Sequence, residues 1–262
     1  MRICIKVGTS TLTHSSGHLN IRQVEHLCKV LSDLKNAGNE LLLVSSGAIG
    51  MGVGKLGLSG RPSDMATKQA AAAVGQCELM YIYDKLFGEF NHNVAQVLLT
   101  AGDVQDPHRR ANLRTTLTRL LELGVLPIIN ENDAVSTDEI GVNTTIGEND
   151  SLSAIVAGLV DAELLVLLSD INGLYTADPR KDPTATLVEL VPELTPEIWA
   201  LADGAGSALG SGGMTTKLKA AEIATAQGCD MIIANGKHPD ALYGILDGDT
   251  IGTRFLRKEK TT

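Results

Sequence analysis

One segment, residues 128–154, constrains the fold of this chain more than any other, because an apolar run turns abruptly polar there. Residues 125–129 have the composition of a buried strand. Two Asn-Asp pairs follow, Asn132-Asp133 and Asn149-Asp150. The second pair precedes an apolar-periodic run, as residues at the start of a helix do. Two such pairs at the ends of one loop predict a small polar ligand at the carboxyl edge of a sheet.

The composition favours an α/β protein. Of 262 residues, 44% are hydrophobic, only 3% are aromatic, and 27 are glycine. All-β domains are usually richer in aromatic and β-branched residues, whereas frequent glycines suit tight turns between strands and helices. The length allows one sizeable core. Since the sequence contains no linker, low-complexity tract or repeat, we expect one domain over residues 1–262, with two lobes.

Charge and cysteine spacing exclude several classes of function. The formal net charge is −9 and the sequence has no large basic stripe, so we expect no nucleic-acid partner. The cysteines are widely spaced, and Cys4 and Cys28 fall in apolar patterns, which predicts buried thiols instead of disulfides or a zinc site. Without a signal peptide or a run of membrane-spanning length, the chain is expected to be cytoplasmic with no membrane partner.

Hydrophobic periodicity predicts alternating strands and helices. Strands are expected at residues 2–7, 41–44, 94–99, 125–129, 164–168 and 231–234. A helix should begin after Asn20, which can form a capping box with Gln23. Further helices are expected after residue 64 and at residues 109–123, 150–160 and 214–227. Residues 48–60 are predicted to be a glycine-rich segment, and residues 134–146 a hairpin.

Two lysines occupy positions that local preference disfavours. Lys6 lies within an otherwise apolar strand, where an unpaired ammonium would be costly to bury. Lys217 lies just inside a helix start, at the positive end of the helix dipole. Glycine- or serine-rich turns at residues 8–10, 45–48 and 210–213 could bind anions through backbone amides, or could simply end their elements. Together these features predict a polyanion between the two lysines.

None of the histidines has the surroundings of a catalytic base. Five lie in polar or loop-like segments, and His26 lies in a predicted helix. A kinase that phosphorylates a hydroxyl needs help to remove its proton, whereas a carboxylate is already ionised near neutral pH. Cationic side chains without an evident base therefore favour the phosphorylation of a carboxylate.

Six collinear segments resemble the glutamate 5-kinases of the amino-acid kinase superfamily. They are KVGTS (6–10), VSSGAI (44–49), INEND (129–133), GENDSLS (147–153), LSDINGLYTADP (168–179) and GGMTTK (212–217). The match extends over nearly the whole chain. Taken singly, only the Asn-Glu-Asn-Asp and Gly-Gly-Met-Thr-Thr-Lys segments are distinctive, but the six together are specific.

The resemblance implies an activity and an architecture. The activity is ATP-dependent phosphorylation of the γ-carboxylate of L-glutamate, the first step of proline biosynthesis, with Mg²⁺ as the companion ion. The fold would be an open, mainly parallel eight-stranded sheet sandwiched between helices, a three-layer αβα arrangement. An amino-terminal lobe, about residues 1–165, would bind glutamate, and residues 166–262 would bind ATP. The family is typically a homo-oligomer, here expected to be a dimer or tetramer, and proline is the expected feedback inhibitor.

The resemblance also assigns residues by matching position. Ser46, Asp133 and Asn149 would bind glutamate, while Lys6, Lys217 and Asp150 would be catalytic. The nucleotide would lie against Lys6, Gly8, Ser169, Asp170, Ser211, Gly212, Gly213, Met214, Thr215, Thr216 and Lys217. No residue is predicted to be a metal ligand. Whether Asp150 contacts substrate, metal or only its own helix stays open.

Two departures from the family pattern and two alternatives accompany this assignment. Many members carry an appended carboxyl-terminal PUA domain, which we do not expect here, and the loop 134–148 is longer than the pattern. The alternatives are another superfamily member, acting on acetylglutamate, aspartate or carbamate, and a non-catalytic amino-acid sensor. Glu131 and Glu148 would repel the carboxylates of glutamate, so both are expected to point away or to pair with Lys or Arg.

Overall fold

The computed structural model describes residues 1–14, 18–135, 149–203 and 213–258. The strands are β1 (Arg2–Val7), β2 (Glu40–Ser45), β3 (Val94–Leu99), β4 (Leu126–Glu131), β5 (Leu164–Ser169), β6 (Leu190–Val191), β7 (Asp230–Asn235) and β8 (Thr253–Phe255). The helices are α1 (Thr9–Leu12), α2 (Ile21–Asn36), α3 (Ala48–Lys55), α4 (Met65–Gly88), α5 (Ala101–Gln105), α6 (Pro107–Glu122), α7 (Asn149–Leu159), α8 (Pro196–Asp203), α9 (Met214–Ala226) and α10 (Ala241–Asp247).

These strands form one eight-stranded sheet in the order β3-β4-β2-β1-β5-β7-β8-β6. All neighbouring pairs are parallel except β7 and β8, which are antiparallel. The prediction of an open, mainly parallel eight-stranded sheet is therefore confirmed. Strands β2, β3 and β4 lie on one side of β1, and the chain then returns to place β5 on its other side. This reversal creates a crevice at the carboxyl ends of β1 and β5, the usual ligand site of open α/β sheets.

Each face of the sheet carries its own apolar core, because successive side chains of a strand point to opposite faces. Cys4, Leu165 and Leu167 belong to one buried cluster, while Ile5 and Val166 belong to the other. Strands buried on both faces read as continuous apolar runs, as β5 does. The predicted boundary between the two lobes is residue 165, which lies inside β5. Each of the two apolar clusters contains residues from before and from after this boundary. The division into two lobes thus stays a prediction about function.

Capping residues explain where the predicted helices begin. The Asn20 side chain accepts a hydrogen bond from the Gln23 amide at 3.3 Å, which caps α2. The second half of the predicted capping box does not form, because the Gln23 side chain donates to the Gly236 carbonyl and the Asn20 N–H donates to the Leu12 carbonyl. Asp64 accepts from the Thr67 amide at 2.8 Å and begins α4, a helix of 24 residues. The described strands and helices match the predicted ones to within a few residues. The hairpin predicted at residues 134–146 lies almost entirely outside the described residues.

The glycine-rich segment at residues 48–60 contains a helix that the sequence did not predict, α3 at Ala48–Lys55. Glycines disfavour helices in isolation, but here they allow α3 and α4 to approach backbone to backbone. A Cβ at Gly52 would overlap the carbonyl oxygen of Ala71, and a Cβ at Gly75 would overlap that of Ala48. Tertiary packing therefore overrides helix propensity. Shorter elements missed by periodicity are α1, α5, α8, α10, β6 and β8.

Three of the four cysteines are buried. Cys4, Cys28 and Cys229 are buried free thiols, and Cys77 is a free thiol exposed on α4. Within the described ranges, no helix combines the length and apolarity needed to cross a bilayer.

Candidate active site

Polar side chains gather at the carboxyl ends of the central strands. Lys6 lies near the end of β1, Ser45 ends β2 and is followed by Ser46, and Asn130 lies near the end of β4. Ser169 ends β5. Because these strands are parallel, their carboxyl ends meet at one edge of the sheet. The candidate site therefore lies where the chain reversal opens the crevice.

A buried carboxylate joins the two lysines that the sequence singled out. Asp150 lies in the first turn of α7, next to Asn149, and is 2% exposed. Its Oδ1 lies 2.6 Å from Nζ of Lys6, and its Oδ2 lies 3.3 Å from Nζ of Lys217. Lys217 reaches it from the first turn of α9 and is itself 5% exposed. The sequence left the role of Asp150 open, and the structure places it between both ammonium groups.

The ionisation of Asp150 depends on this pairing. Burial alone raises the pKa of the carboxyl group, but the charges and hydrogen bonds of Lys6 and Lys217 outweigh it and leave the pKa below the ordinary value. Asp150 is thus ionised at neutral pH. Two ammonium groups and one carboxylate leave the cluster with a net positive charge, which suits an approaching phosphate.

Two of the predicted glutamate-binding residues are in direct contact. The Asn149 side-chain amide donates to the Ser46 hydroxyl at 2.8 Å and to Asn130 Oδ1 at 3.0 Å. It also donates to the backbone carbonyl of Ser45 at 3.4 Å. Asn149 precedes Asp150 in α7, so these contacts connect β2 and β4 to the lysine cluster.

The third predicted residue, Asp133, lines a cavity of about 430 Å³. The wall consists of Ala48, Ala72, Ala73, Gln76, Cys77, Met80, Gln96, Leu98, Glu131, Asn132, Asp133 and Ala134. Asp133 is half-buried. Glu131 also borders the cavity, while Glu148 lies outside the described residues, so the expectation that both point away from substrate or pair with Lys or Arg stays a prediction.

The predicted nucleotide residues lie on the other side of the lysine cluster. Gly8 follows β1, and a Cβ there would lie 3.5 Å from Lys6 Nζ. Ser169 is buried and donates to the carboxylate of exposed Asp170 at 3.1 Å. Gly213 is the N-cap of α9 and supplies no side-chain cap. The first residues of that helix are Met214, Thr215, Thr216 and Lys217, whereas Ser211 and Gly212 lie outside the described residues.

Sequence reasoning missed two amides in this region. Asn130 bonds to Asn149 and also donates to Gln76 Oε1 at 2.9 Å. Asn130 was visible as the first polar residue after a buried strand. Gln76 was visible only as a polar side chain on the otherwise apolar face of α4, whose buried residues include Ala72 and Leu79.

Comparisons with known proteins identify the family of this chain. The chain matches the model of the Amino acid kinase family over residues 1–235. A glutamate 5-kinase from Clostridium perfringens is 53% identical over 258 residues, covering 98% of this chain and 96% of the relative. One from Listeria welshimeri is 51% identical, with 99% and 94% covered. One from Moorella thermoacetica is 52% identical, with 98% of this chain and 67% of the relative covered.

Solved structures share the architecture at much lower identity. Carbamate kinase from Giardia lamblia, bound to AMP-PNP, superposes with a TM-score of 0.68 at 19% identity, covering 98% of each chain. The T. acidophilum isopentenyl phosphate kinase product complex gives 0.66 at 19% identity, with 97% of this chain and 100% of the other covered. At this identity the likeness establishes the fold alone.

Proposed function

Because this chain belongs to the amino acid kinase family, we propose that it transfers the γ-phosphate of ATP to the γ-carboxylate of L-glutamate, the first step of proline biosynthesis. The observation that carries the proposal is the pair of lysines held by one buried carboxylate, with Nζ–O distances of 2.6 and 3.3 Å. Its glutamate 5-kinase relatives, about half identical over nearly all of this chain, support the choice of substrate.

The lysines would act by electrostatics on a phosphoryl group in transfer. Lys6 and Lys217 approach from β1 and α9, on two sides of Asp150. Negative charge spreads over the transferring oxygens, and fixed cations offset it without reorganisation. Asp150 would hold both ammonium groups in place. The glutamate γ-carboxylate needs no base, since it is ionised at neutral pH.

Substrate orientation would come from the opposite side of the cluster. Asn149 and Ser46 adjoin the lysines and would hold the reacting end of glutamate. The carboxylate of Asp133, on the cavity wall, would bind the α-ammonium. Positioning of this kind supplies much of the rate in carboxylate phosphorylation, because the reaction requires an in-line approach.

The cofactor would be ATP with Mg²⁺. In the described part of the chain, no group of three or more His, Cys, Asp or Glu side chains is arranged to hold a metal ion. Mg²⁺ commonly keeps several waters and binds phosphate oxygens with only one or two protein carboxylates, so it would not need such a group here. The ion would offset phosphate charge, while Gly8, Ser169, Asp170 and residues 211–217 would hold the nucleotide.

Regulation and assembly complete the proposal. Proline shares the α-carboxylate and α-ammonium of glutamate, so it would compete at the same cavity as a feedback inhibitor. A homo-oligomer, dimer or tetramer, is the proposed assembly. Proline titration of the initial rate tests the first statement, and sedimentation velocity tests the second.

A hydroxamate assay with ATP, Mg²⁺ and a panel of acids tests the reaction itself. Glutamate-dependent acyl hydroxamate is expected, with aspartate, acetylglutamate and carbamate inactive. Acetylglutamate has no ammonium for Asp133 to bind. Hydroxamate from another acid would move the chain to a different branch of the family. Glutamate binding without ADP release would identify an amino-acid sensor of the same fold.

A further inference from the structure

Three side-chain amides form a hydrogen-bonded relay that extends away from the lysine cluster. Asn149 on α7 donates to Asn130 on β4 at 3.0 Å, and Asn130 donates to Gln76 on α4 at 2.9 Å. The relay therefore connects the residue next to Asp150 with the wall of the 430 Å³ cavity.

Backbone groups fix the direction of every amide in this relay. The Glu131 N–H donates to Asn130 Oδ1 at 2.9 Å, so the oxygen of Asn130 must face it. The nitrogen of Asn130 consequently faces Gln76, which must present its oxygen. At the other end, the Ser45 carbonyl accepts from Asn149 at 3.4 Å, so Asn149 presents its nitrogen. A backbone N–H only donates and a carbonyl only accepts, so none of the three amides can be reversed.

This fixed polarity leaves one group unpaired at each end of the relay. Within the described residues, Nε2 of Gln76 and Oδ1 of Asn149 are buried and have no hydrogen-bond partner. Gln76 is 8% exposed, so solvent access to it is small. A buried donor left without an acceptor destabilises the folded protein. Packing does not require a polar residue here, because neighbouring positions on the same face of α4 are Ala72 and Leu79.

The position of Gln76 indicates which part of a ligand it would contact. It borders the same cavity as Asp133, the residue proposed to bind an α-ammonium. It is also separated from Asn149, and hence from Asp150 and the lysines, by Asn130. A donor in that place suits a carboxylate attached to the same carbon as the ammonium, at the end of the substrate that does not react.

We propose that Gln76 is a substrate-binding residue whose Nε2 donates to the α-carboxylate of the amino-acid substrate and thereby helps to select an α-amino acid. This inference rests on the proposed function, since it assigns the non-reacting end of glutamate. The relay acts as the support: Glu131 orients Asn130, and Asn130 orients Gln76.

Two substitutions separate binding from structural support. Gln76→Glu keeps an oxygen that accepts from Asn130, but it replaces the free donor with a second carboxylate oxygen. Gln76→Met removes donor and acceptor at similar volume. Gln105→Met makes the same chemical change at an exposed residue outside the cavity wall and serves as the control.

We expect both Gln76 variants to raise KM for glutamate about 10–100-fold, the loss of one charge-assisted hydrogen bond. KM for ATP and kcat should change little, and Gln105→Met should resemble the unaltered protein. The inhibition constant of 4-aminobutanoate, which is glutamate without its α-carboxylate, should stay the same in all variants. A role in support alone would weaken glutamate and 4-aminobutanoate equally, and that result would overturn the inference.

The unaltered protein provides a test that does not depend on the variants folding. If 4-aminobutanoate binds as tightly as glutamate, the α-carboxylate is not recognised and the inference is wrong. An unchanged KM for glutamate in folded Gln76 variants would also show that the inference is wrong. Absence of any glutamate-dependent ADP release from the unaltered protein would instead overturn the proposed function, so the two failures are distinguishable.

Discussion

Lys6 and Asp150 are far apart in the chain, yet Nζ of one lies 2.6 Å from Oδ1 of the other at the edge of the sheet. The contact forms because the carboxyl end of β1 and the first turn of α7 meet at this edge. The ion pair offsets the free-energy cost of placing an ammonium group in an apolar strand. It also leaves the other carboxylate oxygen of Asp150 within reach of Lys217.

The first prediction concerns Lys217. Replacing it by Ala removes one fixed cation, so kcat should fall by at least ~10²-fold, as for other single electrostatic donors. The rate of ADP release with saturating glutamate and ATP measures the effect. Lys219 lies on the same helix but is exposed, and Lys219→Ala should retain normal turnover. Equal rates for the two variants would contradict the assigned role.

Asp150 should influence stability in a pH-dependent way. Its folded pKa lies below the ordinary value of 3.8, so its contribution is present above 3.8 and is lost as pH falls through the lower folded value. Asp150→Asn removes the buried carboxylate that pairs with both ammonium groups, so it should destabilise the fold by about 3–5 kcal/mol at neutral pH. Urea unfolding at a series of pH values should show this difference narrowing only below pH 3.8. A difference independent of pH would contradict the pairing.

Asp133 should act on substrate binding. Asp133→Ala removes the partner proposed for the α-ammonium, so KM for glutamate should rise about 10–100-fold while KM for ATP stays constant. Initial rates at varied glutamate concentration give the answer. The exposed neighbour Ala134→Ser is the control, since it alters the same turn without a charge. An unchanged KM would remove Asp133 from the substrate site.

Cys77 offers a chemical probe of the cavity. It is the exposed thiol among the four cysteines and borders the cavity wall. Burial raises the pKa of Cys4, Cys28 and Cys229, so these thiols should react slowly. Ellman's reagent should therefore modify one thiol rapidly, and saturating glutamate should slow that phase. Cys77→Ser should abolish it. A rate unaffected by glutamate would place the substrate elsewhere.

The contact between α3 and α4 should tolerate no added methyl group. Gly75→Ala would force the Ala48 backbone away and should destabilise the fold by about 1–3 kcal/mol. Gly88 ends the same helix, and a Cβ there meets nothing within 4 Å. Gly88→Ala is the matched control and should be neutral or slightly stabilising. Thermal unfolding of both variants checks the expectation, and equal melting temperatures would contradict it.

The sequence predicted the features that follow from local pattern. Buried strands such as β5 are continuous apolar runs, and the cap at Asn20 marks α2. It did not predict α3, because Gly52 disfavours a helix until α4 packs against it. Nor did it predict that Asp150 joins both lysines, since that contact depends on the register between α7, β1 and α9. Both features depend on contacts between residues that are distant in the sequence, which residue types alone do not reveal.

The backbone contact at Gly52 and Gly75 has a consequence for how acceptor specificity can change. Ala48 and Gln76, next to these glycines in space or sequence, both border the cavity. On this side of the cavity, the main chains of α3 and α4 are already at their closest approach. A shorter side chain there therefore cannot change the distance between the two helices. A longer acid would have to be accommodated on the β3 side, at Gln96 and Leu98. Any natural or engineered shift in substrate length should therefore appear first in that strand.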